Sequence, residues 1–497
     1  MEKRIPNLHR ERKGSLRLAA RLLLAILCLA AGCGRSSPRP DSPPRRSVQR
    51  DRLLVGAHYH VWFPENRKQG YLRASLIPPQ QPLLGHYDSS DPAVIEQHIA
   101  WCSQYGIDFL TLDWWPGREQ NRIILDVFPN AANIDDIQFC VFHETWSIGF
   151  DKKMTTTPFT PEAIERFVAD MRTIAENLFS HPRYLRIDGR PVIILYLTRT
   201  FTGPYREVMA QVRAEWSEMG YDPFVIADEI YWGVIREDDP MDAPPLGSPD
   251  PQAGRIRLFD AITSYNMYCS SQSGHAGYAA ESSFIDDVAA IYRRYREAAF
   301  PSVGFVPSLL SRYNDRGVRP RSDHFVIPSA YAPDEPEGSF LARQFERIGF
   351  ELIDPDLNMI LITSFNEWNE DTAIEPLEPA PPTTQDRSRT GQTFTLGYPY
   401  AGFGMRYFEV IRDQVVAVSG RITEADGSPR RGVAIGAWQN GQLIAQATSD
   451  SYGWYRLSRM HLPPGAYELA LLDQTATPRP VQVTPATTRT GIDFIAR

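Results

Sequence analysis

At 497 residues the chain is too long for one ordinary domain, and length alone points to two to four. Its 42% hydrophobic and 23% charged residues are the composition of a folded protein and exclude a disordered or fibrous one. A formal net charge of −8 excludes nucleic acid as a general partner, because phosphate binding requires a basic face.

The first 32 residues read as an export signal. Lys3, Arg4, Arg10, Arg12, Lys13, Arg17 and Arg21 form a basic region ahead of ten apolar residues, 22–31. That stretch is too short for a membrane-spanning helix and the right length for a signal-peptide core. It runs into Ala30-Ala31-Gly32-Cys33, which resembles a bacterial lipobox and implies cleavage before Cys33 and lipidation of that residue. Ordinary signal cleavage, with Cys33 incidental, is the alternative. Residues 33–50 are mostly Pro, Ser and Arg, too poor in apolar side chains to fold, and are expected to be a tether. The expected location is the bacterial cell envelope, at the outer membrane or cell surface, with the lipid as the chain's one membrane contact. Cys102, Cys140 and Cys269 are too few and too scattered for a disulfide framework or a zinc site, so neither metal nor cofactor is expected.

From residue 51 to 413 short apolar runs alternate with helical patterns. The runs are 53–58, 109–113, 139–143, 191–196, 224–228, 261–265, 303–308 and 359–364. Most are continuously apolar, as parallel strands covered on both faces must be. Between them, 91–105, 161–178, 204–219, 284–299 and 340–350 carry helical periodicity, the first opened by Asp91-Pro92 as N-cap and first helical residue. Eight such repeats predict an α/β fold, a (β/α)8 TIM barrel, with an open doubly wound sheet as the alternative. From 414 to 497 the texture changes to short alternating runs broken by Asp-Gly, Asn-Gly and Pro-Pro-Gly turns, which predicts a small antiparallel β-sandwich.

A barrel of this kind places its active site where the strands end. The polar residues there are His58, Tyr59 and His60; Asp113, Trp114 and Trp115; His143, Glu144 and Trp146; Tyr196; Asp228 and Glu229; Tyr265 and Tyr268; and Glu367 and Glu370. The sharpest segment is TSFNEWNEDTAIEP, residues 363–376. If the chain turns after strand eight, Glu367 and Glu370 fall on one side of it, roughly 5–6 Å apart at Cβ. In a mostly dry pocket flanked by Trp368, one carboxyl should hold a proton near neutral pH while the other stays ionised. Glycoside cleavage needs that division of labour. The alternative is a pair of solvated loop charges.

Gly85-His86-Tyr87-Asp88-Ser89, the segment from Gly106-Ile107-Asp108 to Leu112-Asp113-Trp114-Trp115, and TSFNEWNEDTAIEP together resemble glycoside hydrolase family 99 and its relatives, over about residues 53–412. The resemblance implies a retaining, endo-acting hydrolase of α-mannosyl glycans. It implies that Glu367 deprotonates the sugar 2-hydroxyl, giving a 1,2-anhydro sugar, and that Glu370 is the acid/base. It also matches Glu144 to an acidic substrate contact and Tyr265 to a tyrosine near the reacting sugar. Asn369 and Asp371 stand where the family usually has His and Gly. The C-terminal segment resembles carboxypeptidase-regulatory-like, transthyretin-like modules, which implies an accessory role. An oligo- or polysaccharide is thus the expected partner; a glycan transferase or lyase with the same acids, or a non-catalytic glycan-binding lipoprotein, are the alternatives.

Overall fold

The computed structural model describes residues 52–149, 156–231, 234–236, 249–267, 275–472, 478–485 and 487–496. The expected signal, Cys33, the tether, Tyr268 and Cys269 lie outside the described residues. Eight parallel strands form the first sheet: β1 Leu54–Tyr59, β2 Phe109–Trp114, β3 Gln138–His143, β4 Arg190–Leu195, β5 Phe224–Asp228, β6 Ala261–Thr263, β7 in two pieces (Gly304–Phe305 and Ser308–Leu310), and β8 Met359–Thr363. Nearly every residue in them is buried, which is why the runs carry no polar alternation.

The sheet closes. β1 pairs with β2 through Ala57↔Leu110 and with β8 through Ala57↔Ile362. The first piece of β7 pairs with β6 through Gly304↔Ala261, and the second with β8 through Ser308↔Leu361. Pro307 lies at the break, where it offers no N–H but its carbonyl still accepts from Leu361 N at 3.0 Å. A strand paired on both sides leaves no edge, so the open doubly wound alternative is excluded and the (β/α)8 barrel stands. Gly56 fits the crowded interior of β1 because a Cβ there would lie 2.2 Å from the Phe109 ring.

Five helices form where the pattern placed them: α1 Pro92–Tyr105, α2 Pro161–Leu178, α3 Tyr205–Glu218, α4 Phe284–Ala299 and α5 Ser339–Gln344; a further one, α6 Arg406–Val415, lies outside the expected stretches. Asp91 caps α1 by accepting from Ala93 N, with Pro92 in the first turn, and Gly106 ends it at φ 103°. Thr160 and Pro161 open α2 in the same way.

Helix α6 runs directly into the C-terminal sheets. In one, β10 Ala434–Gln439 lies between β11 Gln442–Thr448 and β13 Gly465–Leu471, and β14 Arg479–Val483 completes an antiparallel set. In the other, β9 Val416–Thr423 runs antiparallel to β12 Trp454–Ser458 and parallel to β15 Phe494–Ile495. The two sheets share a core of their own, from Ala417 to Ala496. This body sits against the N-terminal end of the barrel. Arg456 meets Asp108, just ahead of β2, at 3.1 Å, and Ser451 Oγ meets Asp136, just ahead of β3, at 3.1 Å. The opposite end, where the strands finish, is left for the site.

Candidate active site

A cavity of about 420 Å³ opens where the strands end, within the size range of ligand pockets. Period-two alternation decides which strand-end residues reach it. After β1, His60 faces in, while Tyr59 points outward and pairs its hydroxyl with His98 Nδ1 at 2.9 Å. After β2, Asp113 and Trp115 face in and Trp114 is buried on the other side. Glu144, Tyr196 and Tyr265 also line the cavity, and the turn after β8 supplies Glu367, Asn369 and Glu370.

The acid-bearing segment turns as expected. Asp371 N donates to Trp368 O at 3.3 Å and Thr372 N to Glu367 O at 3.1 Å, so both carboxylates face one cavity. Glu367 N donates to Ser364 Oγ at 2.8 Å, and its Oε1 accepts from Asn369 N at 2.8 Å. Its side chain is buried. Burial is the main cause that lifts its pKa from 4.5 to about 7; His60 pulls it down, while Glu370 and Asp113 push it up. Glu370 is nearer the mouth, its side chain 17% exposed, and its Oε1 is 3.0 Å from Arg319 Nη1.

His60 links the acids to the aromatic wall. Its Nδ1 is 2.8 Å from Asp113 Oδ2, its Nε2 is 3.2 Å from the Tyr265 hydroxyl, and its ring stacks on Trp62 at 4.3 Å. Burial alone would lower its pKa, but Asp113, Glu367 and Glu370 carry it above the usual imidazole value. Asp113 Oδ2 also accepts from Trp115 Nε1 at 2.6 Å. Trp62, Trp115 and Trp146 follow one another along one wall, the first pair tilted and the second edge to face. Glu144 accepts from Trp146 Nε1. Burial pushes Glu144 well above the usual carboxyl range, helped by the charge of Asp113.

Four expected contacts are corrected. His58 lies beneath the cavity floor, where Thr111 Oγ1 reaches its Nδ1 at 2.7 Å and Phe142 and Tyr265 pack on its ring; burial lowers its pKa to about 3, so it stays neutral. Tyr59 and Trp114 occupy the outward positions of their strands. Trp368 turns away from the acids beside it, donating Nε1 to Glu375 Oε2 at 2.9 Å. Of the wider strand-end set, His143 pairs with Asp170 at 3.0 Å and Asp228 with Arg199 at 2.6 Å; neither lines the cavity.

Sequence reasoning missed Trp62 and Arg319. Extending the alternation His58, His60 by one step would have found Trp62, whose buried Nε1 has no partner among the described residues. Arg319 comes from the long segment after β7 and carried no comparable signal. The two departures from the family pattern have physical accounts. Asp371 adopts the left-handed φ of 53° that a glycine takes easily, and Arg73 Nε at 2.8 Å and Arg312 Nε at 3.0 Å hold its carboxylate there. Asn369 accepts from Asn66 Nδ2 at 2.6 Å and donates to Gly70 O at 2.8 Å, tying the turn to the segment after β1.

A closed (β/α)8 barrel with paired carboxylates and a tryptophan wall at its C-terminal mouth defines the class of this protein: a barrel with a glycosidase-like site. A family model described as Glycosyltransferase WbsX matches residues 76–380, more than half of the chain, and the chain belongs to that family. A mouse (Mus musculus) protein named glycoprotein endo-alpha-1,2-mannosidase-like protein is 22% identical over 387 residues, covering 70% of this chain and 74% of its own. A solved structure titled glycoside hydrolase-like protein aligns with TM-score 0.53 at 18% identity over 76% of this chain and 97% of that one, which supports the fold. The GH99 endo-alpha-mannosidase from Bacteroides thetaiotaomicron aligns with TM-score 0.46 at 16% identity, over 74% and 98%. The resemblance to family 99 and its relatives is borne out by the family model and the mouse relative.

Proposed function

We propose that the chain is a retaining, endo-acting glycoside hydrolase of α-mannosyl glycans. The observation that carries the reading is the placement of Glu367 and Glu370 on one turn, facing one cavity, in different surroundings. A general base works best with a pKa near the working pH, and Glu367 is held at about 7. In the proposed first step its carboxylate takes the proton of the sugar 2-hydroxyl, O2 attacks C1, and the C1–O bond to the leaving sugar breaks. Glu370 gives that oxygen its proton. In the second step water attacks C1 and passes a proton to Glu370, the C1–O2 bond breaks, and Glu367 returns its proton to O2. Glu370's place nearer the mouth suits the role that must meet both the leaving sugar and the water. The name of the matched mouse relative supports the mannosyl substrate.

The test is turnover of α-mannan oligosaccharides in H2-18O by the wild-type protein, Glu367→Gln and Glu370→Gln. Hydrolysis puts 18O at the new reducing end, and each variant should lose at least a hundredfold in kcat while still binding. The description of the matched family favours a second reading, glycosyl transfer by the same pair. A product free of 18O that appears only with an acceptor sugar supports transfer, and unchanged turnover in both variants removes either chemistry. We further propose that the chain is exported and lipidated at Cys33, with residues 33–50 as tether and the C-terminal body as a regulatory-like accessory; Cys33→Ala should release the protein from the membrane fraction.

A further inference from the structure

A second cavity, about 590 Å³, lies at the other end of the barrel, between its N-terminal face and the C-terminal sheets. Four arginines from both bodies stand on its wall: Arg52, Arg183, Arg431 and Arg456. Three are paired within the protein. Asp108 takes Arg52 at 2.6 Å and Arg456 at 3.1 Å, and Asp135 takes Arg431 at 2.7 Å. The other two wall carboxylates are occupied by neutral donors. Asp450 accepts from Ser103 Oγ at 2.7 Å and from the amides of Tyr452 and Trp454, and Asp136 accepts from the amide and hydroxyl of Ser451.

Arg183 is the exception. Its Nε donates to Ile137 O at 2.9 Å, but its two terminal nitrogens have no hydrogen-bond or ion-pair partner among the described residues. Burial holds this guanidinium below its usual proton affinity; Asp135 and Asp136 oppose that effect and Arg52 and Arg431 add to it. A half-buried planar fork with two nitrogens unused is the geometry that receives an oxyanion through parallel hydrogen bonds. Gln446, Thr448 and Ser458 add neutral polar groups to the cavity lining. We infer that this cavity is an anion-binding site, distinct from the acid-lined one, which takes a carboxylate, sulfate or phosphate group on Arg183. The group arrives either on an acidic sugar or as a free inorganic ion. A ligand here would touch both bodies at once and fix the C-terminal sheets on the barrel.

Isothermal titration of the full chain with glucuronate, inorganic sulfate and inorganic phosphate, each at constant ionic strength and with glucose as the neutral control, tests this. Saturable binding of at least one anion is expected, weakened tenfold or more by Arg183→Gln and less by Arg183→Lys, which keeps the charge and loses the fork. Glu370→Gln, at the opposite end of the barrel, should leave it unchanged. Binding of glucuronate but neither inorganic ion identifies an acidic sugar as the source, and the reverse identifies the free ion. No saturable binding, equal binding of glucose, or affinity untouched by both Arg183 variants overturns the inference. None of these outcomes depends on whether the chain cleaves mannan.

Discussion

Glu367→Gln should cut turnover at least a hundredfold and, at alkaline pH, make the protein more stable. Burial lifts the Glu367 carboxyl from its ordinary 4.5 to about 7. At about 1.4 kcal/mol per pH unit, the ionised side chain therefore costs the folded state about 3 kcal/mol above pH 7. Between 4.5 and 7 the folded protein holds a proton that the unfolded chain has lost, so stability falls as pH rises through that window. Above 7 both states are ionised and the loss is complete. Glutamine removes the titration and keeps an oxygen to accept from Asn369 N, now 2.8 Å from Oε1. Urea unfolding of wild type and variant at pH 4.5 and pH 8 measures the effect. The variant should match wild type within about 1 kcal/mol at the lower pH and exceed it by up to about 3 kcal/mol at the higher. A gain of the same size at both pH values, or none at pH 8, would refute the claim that Glu367 is a buried base strained by its own charge.

Three further outcomes follow from the same geometry. If Glu367 is the base, kcat/KM should rise with pH through about 7, and the Gln variant's residual rate should lose that rise. Trp62→Phe keeps the stack on His60 but deletes a cavity-wall N–H that has no partner among the described residues, so KM for the glycan should rise about fivefold, roughly 1 kcal/mol, with kcat little changed. Asp371→Ala takes from two fully buried guanidinium groups, Arg73 and Arg312, the carboxylate they share, and should lower unfolding stability by about 3–5 kcal/mol, read by urea midpoint.

The barrel was legible in the sequence because its strands are covered on both faces, so each appears as an unbroken apolar run. Closure was not legible, since it rests on β7 pairing with both β6 and β8, a relation no local pattern records. The acid pair could be found because the turn that joins it is local. Trp368 shows the opposite: neighbouring an acid in sequence put it on the far side of the turn, against Glu375. Tyr59 and Trp114 failed by strict alternation, a rule available beforehand that would have kept His60, Asp113 and Trp115 and added Trp62. Arg319 reaches Glu370 from 51 residues away and had no local trace.

The turn that carries the acids is held by two other carboxylates, each fully buried. Asp371 is gripped by Arg73 and Arg312 on the side facing the segments after β1 and β7. Glu375 accepts from the Tyr87 hydroxyl at 2.8 Å and Trp368 Nε1 at 2.9 Å, and faces His98 Nε2 at 3.2 Å on helix α1. Burying such charges is costly unless each oxygen is satisfied, and here each is. Glu367 is the contrast: among the described residues its side chain accepts one backbone amide and forms no ion pair, and burial raises its proton affinity to the neutral range against the pull of His60. In the proposed mechanism Glu367 gains and loses a proton, which a carboxylate locked by two guanidinium groups could not do. The turn therefore places its fixed charges at 371 and 375 and leaves 367 free to titrate.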